Sequence, residues 1–278
     1  MIKKLLLMLA VAMPLWALHA QVEIKLEFQK RVFLQYEPVW AKVTMTNNSG
    51  KTLVFGKSDD FKGELKFEIM DREKRMVPQI DPQAKLAEGL ILMPGQSQDI
   101  FVPLNRYYNI TPVNRYDVHC YVKHSQLSTD YESNHEYVEV SAGVTEWTRT
   151  VGLPAFMLKD DSPGQETTRT YKLVTLIAGI HKELFAIVED SKFVYRVRPV
   201  CNIFAQEKFS AEVDHLGRLH VFAADGQDTY KYMVMTLDGD IDLEMQYRSG
   251  ETVPVLVRDE KTGKVSVNGG VMVEPGKD

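Results

Sequence analysis

Val39 to Gly50 reads VWAKVTMTNNSG. Val39, Ala41, Val43 and Met45 alternate with Trp40, Lys42, Thr44 and Thr46, a period of two that marks a strand with one buried face. The run closes on Asn47, Asn48, Ser49 and Gly50, residues that accept positive φ or bond their own backbone in turns. The same pattern lies on either side of it. In VEIKLEF, Val22, Ile24, Leu26 and Phe28 alternate with Glu23, Lys25 and Glu27, and LKFEIMD (65–71) and QDIFVPL (98–104) read as further strands. Helical periodicity is hard to find. Short strands separated by polar turns predict an all-β chain that opens with a sandwich.

Three longer stretches carry a resemblance: EPVWAKVTMTNNSGKTL (37–53), LMPGQSQDIFVPL (92–104) and YYNITPVNRYDVHCYV (107–122). Together they resemble bacterial immunoglobulin-like β-sandwiches of the BsuPI and macroglobulin-like type, over residues 21–145. The resemblance implies a fold more than a chemistry. It implies that Tyr116 forms a tyrosine corner and that Asn114, where the pattern has glycine, adopts a left-handed backbone. It also implies protease inhibition as one function to consider.

The N-terminus, MIKKLLLMLAVAMPLWALHA, has two lysines, an apolar run from Leu5 to Leu18 and a small residue at Ala20. This layout predicts a secretory signal peptide over 1–20, with an uncleaved anchor as the alternative. Cleavage there removes two lysines and no acid, leaving 31 basic and 38 acidic side chains, a net charge of −7. That balance excludes nonspecific binding to nucleic acid, which rests on neutralising phosphates. No later segment reads as a membrane span. Cys120 and Cys201 are the only cysteines. They read as two free thiols, with a bridge between them as the alternative.

Residues 146–168 hold prolines, glycines and mixed charges and read as a linker. From 169 to 278, turn signals recur between runs such as YKLVTLI (171–177), LFAIVED (184–190) and YKYMVMTLD (230–238), predicting an antiparallel β-meander. VEDSKFVYRV (188–197), VDHLGRLHVF (213–222) and VRDEKTGKVSV (257–267) form a weak repeat. A sandwich, a partly open barrel and a propeller-blade-like arrangement all accommodate it.

Candidate sites are few. DHLGRLHVF (214–222) holds Asp214, His215 and His220. By analogy with its sister repeats, which lack histidine, it reads as a hairpin turn rather than a metal site. DGDIDLE (238–244) imitates a calcium loop, but Leu243 and Ser249 stand where glycine and glutamate are needed. His119, His124 and His135 read as surface histidines. No nucleophile elbow, phosphate loop or dinucleotide fingerprint is present, so no catalytic residue, metal ligand or cofactor is assigned. Trp40 faces away from the apolar side of its strand, and of Tyr107 and Tyr108 at most one is expected in the core. These three aromatics are the candidate ligand-binding residues. The resulting expectation is a non-catalytic binding or structural module of the bacterial cell envelope, periplasmic or secreted, that holds an envelope protein or polysaccharide. A secreted hydrolase acting on protein or glycan is the alternative, and a protease inhibitor the second.

Overall fold

The computed structural model describes residues 21–56, 61–158, 166–178, 181–203 and 209–273. The segment 1–20, read above as a signal peptide, lies outside them. The protein is all-β, with several antiparallel sheets and no closed barrel among the described residues.

The first half contains β1 (Val22–Phe28), β2 (Val32–Leu34), β3 (Trp40–Asn47), β4 (Leu53–Val54), β5 (Gly63–Met70), β6 (Ile91–Leu92) and β7 (Ser97–Pro103). A single helical turn, α1 (Leu104–Tyr107), leads into β8 (Asn114–His124), β9 (Tyr131–Glu132) and β10 (Glu136–Ser141). One sheet runs β1-β3-β7 and the other β2-β10-β8-β5, with β9 on β8. The alternation legible in the sequence sets the register: Val39, Ala41, Val43 and Met45 bury against Val118, Cys120 and Val122 of the facing sheet. Asn47 ends β3 fully buried. Its amide donates to the carbonyls of Lys51 at 2.7 Å and Leu92 at 2.8 Å, and its oxygen accepts from Ser49 N–H at 3.0 Å. One side chain thus ties the turn to the neighbouring strand β6.

Tyr116 is buried, and its hydroxyl donates to Pro112 O, four residues back, at 2.7 Å. Asn114 departs from expectation. Tyr36 and Lys74 are the described non-glycine residues with positive φ, and Asn114 is instead the first residue of β8. Its side-chain oxygen accepts from Arg115 N–H, so the strand starts without a left-handed residue. His124 is not on the surface either. It is buried at the end of β8, donating to Val54 O at 3.0 Å and accepting from Gln126 N–H at 3.1 Å.

The second half contains β11 (Val144–Gly152), β12 (Thr168–Ala178), β13 (His181–Glu189), β14 (Val194–Ile203), β15 (Phe209–Val213) and β16 (Leu219–Ala224). There follow β17 (Thr229–Met235), β18 (Ile241–Arg248), β19 (Val255–Arg258), β20 (Val265–Asn268) and β21 (Val271–Val273). The sheet β11-β12-β13-β14 packs on β15-β16-β17-β18-β21 through Tyr171, Leu173, Leu184 and Ala186 on one side and Leu219, Val221, Met233 and Met235 on the other. The hairpin β19–β20 lays Leu256 and Val267 over the outer face, against Phe222, Tyr232 and Val234. That is a sandwich with a flap, reached by two successive meanders.

The segment 146–168 is not a linker throughout. Its opening residues belong to β11, which pairs with β12 from Val144 to Gly152. A register shift between Thr145 and Trp147 breaks the alternation there, as an extra residue in one strand does. The pattern test therefore passes over it.

The two sandwiches touch at a small patch. Leu34 of β2 buries against Val174, Leu176, Phe185 and Ile187 on the outer face of β12–β13. Beside it, Lys30 Nζ reaches Glu37 at 2.9 Å and Glu183 at 2.6 Å and lies over the Phe185 ring.

Candidate functional site

Of the three aromatics singled out by sequence, the structure leaves one available. Trp40 is 47% exposed on the outer face of β3. Tyr108 is a correction: it is 3% exposed in the first core, where its hydroxyl accepts Phe67 N–H at 3.1 Å and its ring meets the edge of Phe67. The turn α1 ends at Tyr107, so the next residue swings inward. Tyr107 itself is partly buried against that core, with the Arg106 guanidinium 5.9 Å from its ring centre.

The aromatic that sequence reasoning missed is Phe101, 59% exposed. In the β3–β7 register Lys42 faces Phe101 and Trp40 faces Pro103, so Trp40 and Phe101 are diagonal neighbours on one outward face. The alternation of QDIFVPL gives Phe101 the outward parity, but nothing local tells which strand lies beside it. The rest of the face is polar. Asp99 accepts from Thr44 Oγ1 at 2.6 Å and pairs with Lys42 at 3.1 Å, and Thr46 bonds Ser97 at 2.8 Å. The result is a sheet face with two exposed rings beside fixed hydroxyl, ammonium and carboxylate groups.

DHLGRLHVF is the turn its sister repeats suggested, and something more. Gly217 has φ +79° and Gly217 N–H bonds Asp214 O, closing the hairpin between β15 and β16. Asp190 and Asp259 accept backbone N–H groups in the same way in their turns. Asp214 differs in being buried. Its Oδ1 accepts from Leu216 and Arg218 N–H, and its Oδ2 accepts from Arg218 Nε at 2.8 Å and from His220 at 3.1 Å. A carboxylate can only accept, so His220 carries its proton on Nε2 and its Nδ1 accepts from the Tyr232 hydroxyl at 2.6 Å. Arg218 reaches on to Asp242 at 2.7 Å. Sequence reasoning placed His220 along the strand and stopped there. The pairing of β16 with β17 brings Tyr232 to it, a contact with no local signal.

Asp214, His220 and Tyr232 are all buried. Burial pushes the Tyr232 hydroxyl up to about 12, and His220 is 3% exposed. Burial also holds the His220 imidazole below its ordinary value, although Asp214 opposes that. Burial raises the Asp214 carboxyl, but hydrogen bonds from Arg218 and His220 outweigh it and keep it below the ordinary range. The sign for stability follows. A histidine depressed in the folded state contributes fully above the unfolded value near pH 6.5 and loses that contribution as pH falls toward the folded value. Asp214 adds a second loss below about pH 4. Urea midpoints are therefore expected to be flat from pH 8 to 7 and to fall from pH 6.5 to 5, with the fall reduced in His220→Gln. A midpoint that holds or rises over that interval contradicts the assignment.

His119 and His135 stack at 4.2 Å on the first sandwich, near Glu68 and Asp117. They share no surroundings with His215 or His220. Among the described residues no group of three His, Cys, Asp or Glu side chains is placed to hold a metal ion. Glu37 and Glu183 converge at the joint, and burial raises Glu37. The Lys30 ammonium pairs with both carboxylates, so the trio joins the sandwiches. Neither cysteine is in a disulfide: Cys120 lies in the first core, its thiol pushed by burial up to about 11, and Cys201 is partly buried in the second half. Comparison with protein families, curated proteins and solved structures finds no match to the chain.

Proposed function

We propose that the chain is an exported, non-catalytic binding module of the bacterial cell envelope, and that it holds a polysaccharide on the outer face of β3 and β7. The observation that carries this reading is the exposure of Trp40 and Phe101 as diagonal neighbours on a largely polar sheet face. Exposed aromatic clusters of this kind mark interaction surfaces. Sugar rings present apolar C–H faces that stack on aromatics and hydroxyls that meet neighbours such as Thr44, Asp99 and Lys42. Export rests on the N-terminal pattern. No helix among the described residues is long and apolar enough to cross a membrane.

The test is cosedimentation with insoluble envelope polysaccharide. Trp40→Ala/Phe101→Ala is expected to lower retention at least about ten-fold, equivalent to roughly 1.4 kcal/mol. Both side chains face solvent, so its melting temperature should stay near that of the parent. A double variant retained as well as the parent removes the reading.

A further inference from the structure

A hollow that shares no residue with the Trp40 face lies on the second sandwich. The exit of β11, the hairpin turn after β15, the turn after β17 and Arg258 of β19 line this open depression of about 840 Å³. That volume lies within the range of small-molecule sites, roughly 300–1,000 Å³. Its base is apolar: Leu153 and Met157 pack on the second core beside buried Leu237. Its rim carries Phe156, 86% exposed, and Leu216, 56% exposed. Two large apolar side chains held in water around an apolar hollow are the surface an apolar ligand would cover.

The charges are unevenly satisfied. Arg218 is taken up by Asp214 and Asp242. Among the described residues Arg258 pairs only with Glu212, at 3.8 Å, beyond hydrogen-bond distance. Arg149 makes no ion pair or hydrogen bond among the described residues and is exposed on the wall. Against these two guanidinium groups stands one further lining carboxylate, the exposed Asp238. The wall is also pre-formed. Asp214 fixes the turn from inside, and His215 N–H donates to Gly263 O, tying the β19–β20 hairpin to it. A wall that is already ordered loses little entropy on binding.

We propose that this hollow binds a single-chain anionic amphiphile, its carboxylate between Arg149 and Arg258 and its tail over Leu153, Met157 and Leu216. Nothing in this depends on the polysaccharide reading. The probe is decanoate, titrated calorimetrically into the protein. Saturable one-to-one binding with Kd below about 1 mM is expected. Decanol should bind at least about ten-fold more weakly, and so should decanoate to Arg149→Ala/Arg258→Ala. Leu216→Asp, at an exposed position that does not threaten folding, should weaken decanoate similarly, whereas Trp40→Ala/Phe101→Ala should leave it unchanged. Absence of saturable binding at 5 mM (about five times the expected upper Kd), equal affinity for decanol, or equal affinity in the double arginine variant overturns the proposal.

Discussion

Asp214→Ala lowers the stability of the protein by about 3–5 kcal/mol, the combined cost of a buried His220 N–H left unsatisfied and of the charge-assisted bonds lost from Arg218 and the turn. At roughly 2–4 °C per kcal/mol for a chain of this size, the melting temperature drops by about 6–20 °C. The magnitude comes from how many groups one carboxylate serves. Asp214 is 5% exposed and accepts four hydrogen bonds, two from backbone N–H groups of its turn, one from Arg218 and one from His220. Alanine leaves the His220 N–H without its acceptor in a buried site and removes the inner half of the Arg218 pairing, with only Asp242 remaining. It also frees the turn that connects β15 to β16, so the loss is not confined to one bond. Asp214→Asn should cost less, because its side-chain oxygen can still accept from the turn, but it exchanges an acceptor for a donor beside His220. Urea unfolding of the three proteins at pH 7.5 provides the comparison. A loss under about 1 kcal/mol for the alanine variant would show that water replaces the carboxylate without penalty.

Gly143→Ala is expected to cost about 2–5 kcal/mol, and the loss should fall on the joint between the sandwiches. Gly143 links β10 to β11 with φ +66°, a conformation that costs an L-residue roughly 1–2 kcal/mol. Its surroundings are also full. A Cβ would lie 2.6 Å from Val174 Cγ1, 2.8 Å from Thr175 O and 2.9 Å from Leu34 Cδ1. Overpacking of that kind adds roughly 1–3 kcal/mol. Two of the three groups are the joint itself, since Leu34 and Val174 are the apolar contact between the halves. Gly50 provides the control. Its φ is +72°, but nothing lies within 4 Å of a Cβ there, so Gly50→Ala carries the conformational cost alone. The difference between the two variants in melting temperature measures the crowding. Limited proteolysis should show faster cleavage between the halves in Gly143→Ala. Equal losses at the two glycines would mean that Leu34 and Val174 move aside freely.

Much of the first sandwich was legible because its strands are covered on one face only. Val39 to Asn47 states its register residue by residue, and the buried alternation of β8 from Tyr116 to Val122 does the same. The second half was legible as turns more than as strands. Every residue of β16 is buried, since one face meets β13 and β14 and the other lies under the β19–β20 hairpin, so no alternation remains to read. The strand β11 was hidden for the opposite reason. It is mostly exposed, and a bulge shifts its parity part-way along.

By itself the sequence determined that this is an all-β chain, that Asp214 begins a turn, and that Trp40 points away from its core. Each of these follows from a local rule: the period of two, the affinity of aspartate for its own backbone amides, and strand parity. Only the tertiary structure decided that Phe101 stands beside Trp40, that Tyr108 is inside, that His220 sits between Asp214 and Tyr232, and that Gly143 has no room for a side chain. Those facts depend on which strand pairs with which, and in what register. Pairing is settled by the cooperative burial of whole faces, and no short window of residues contains it.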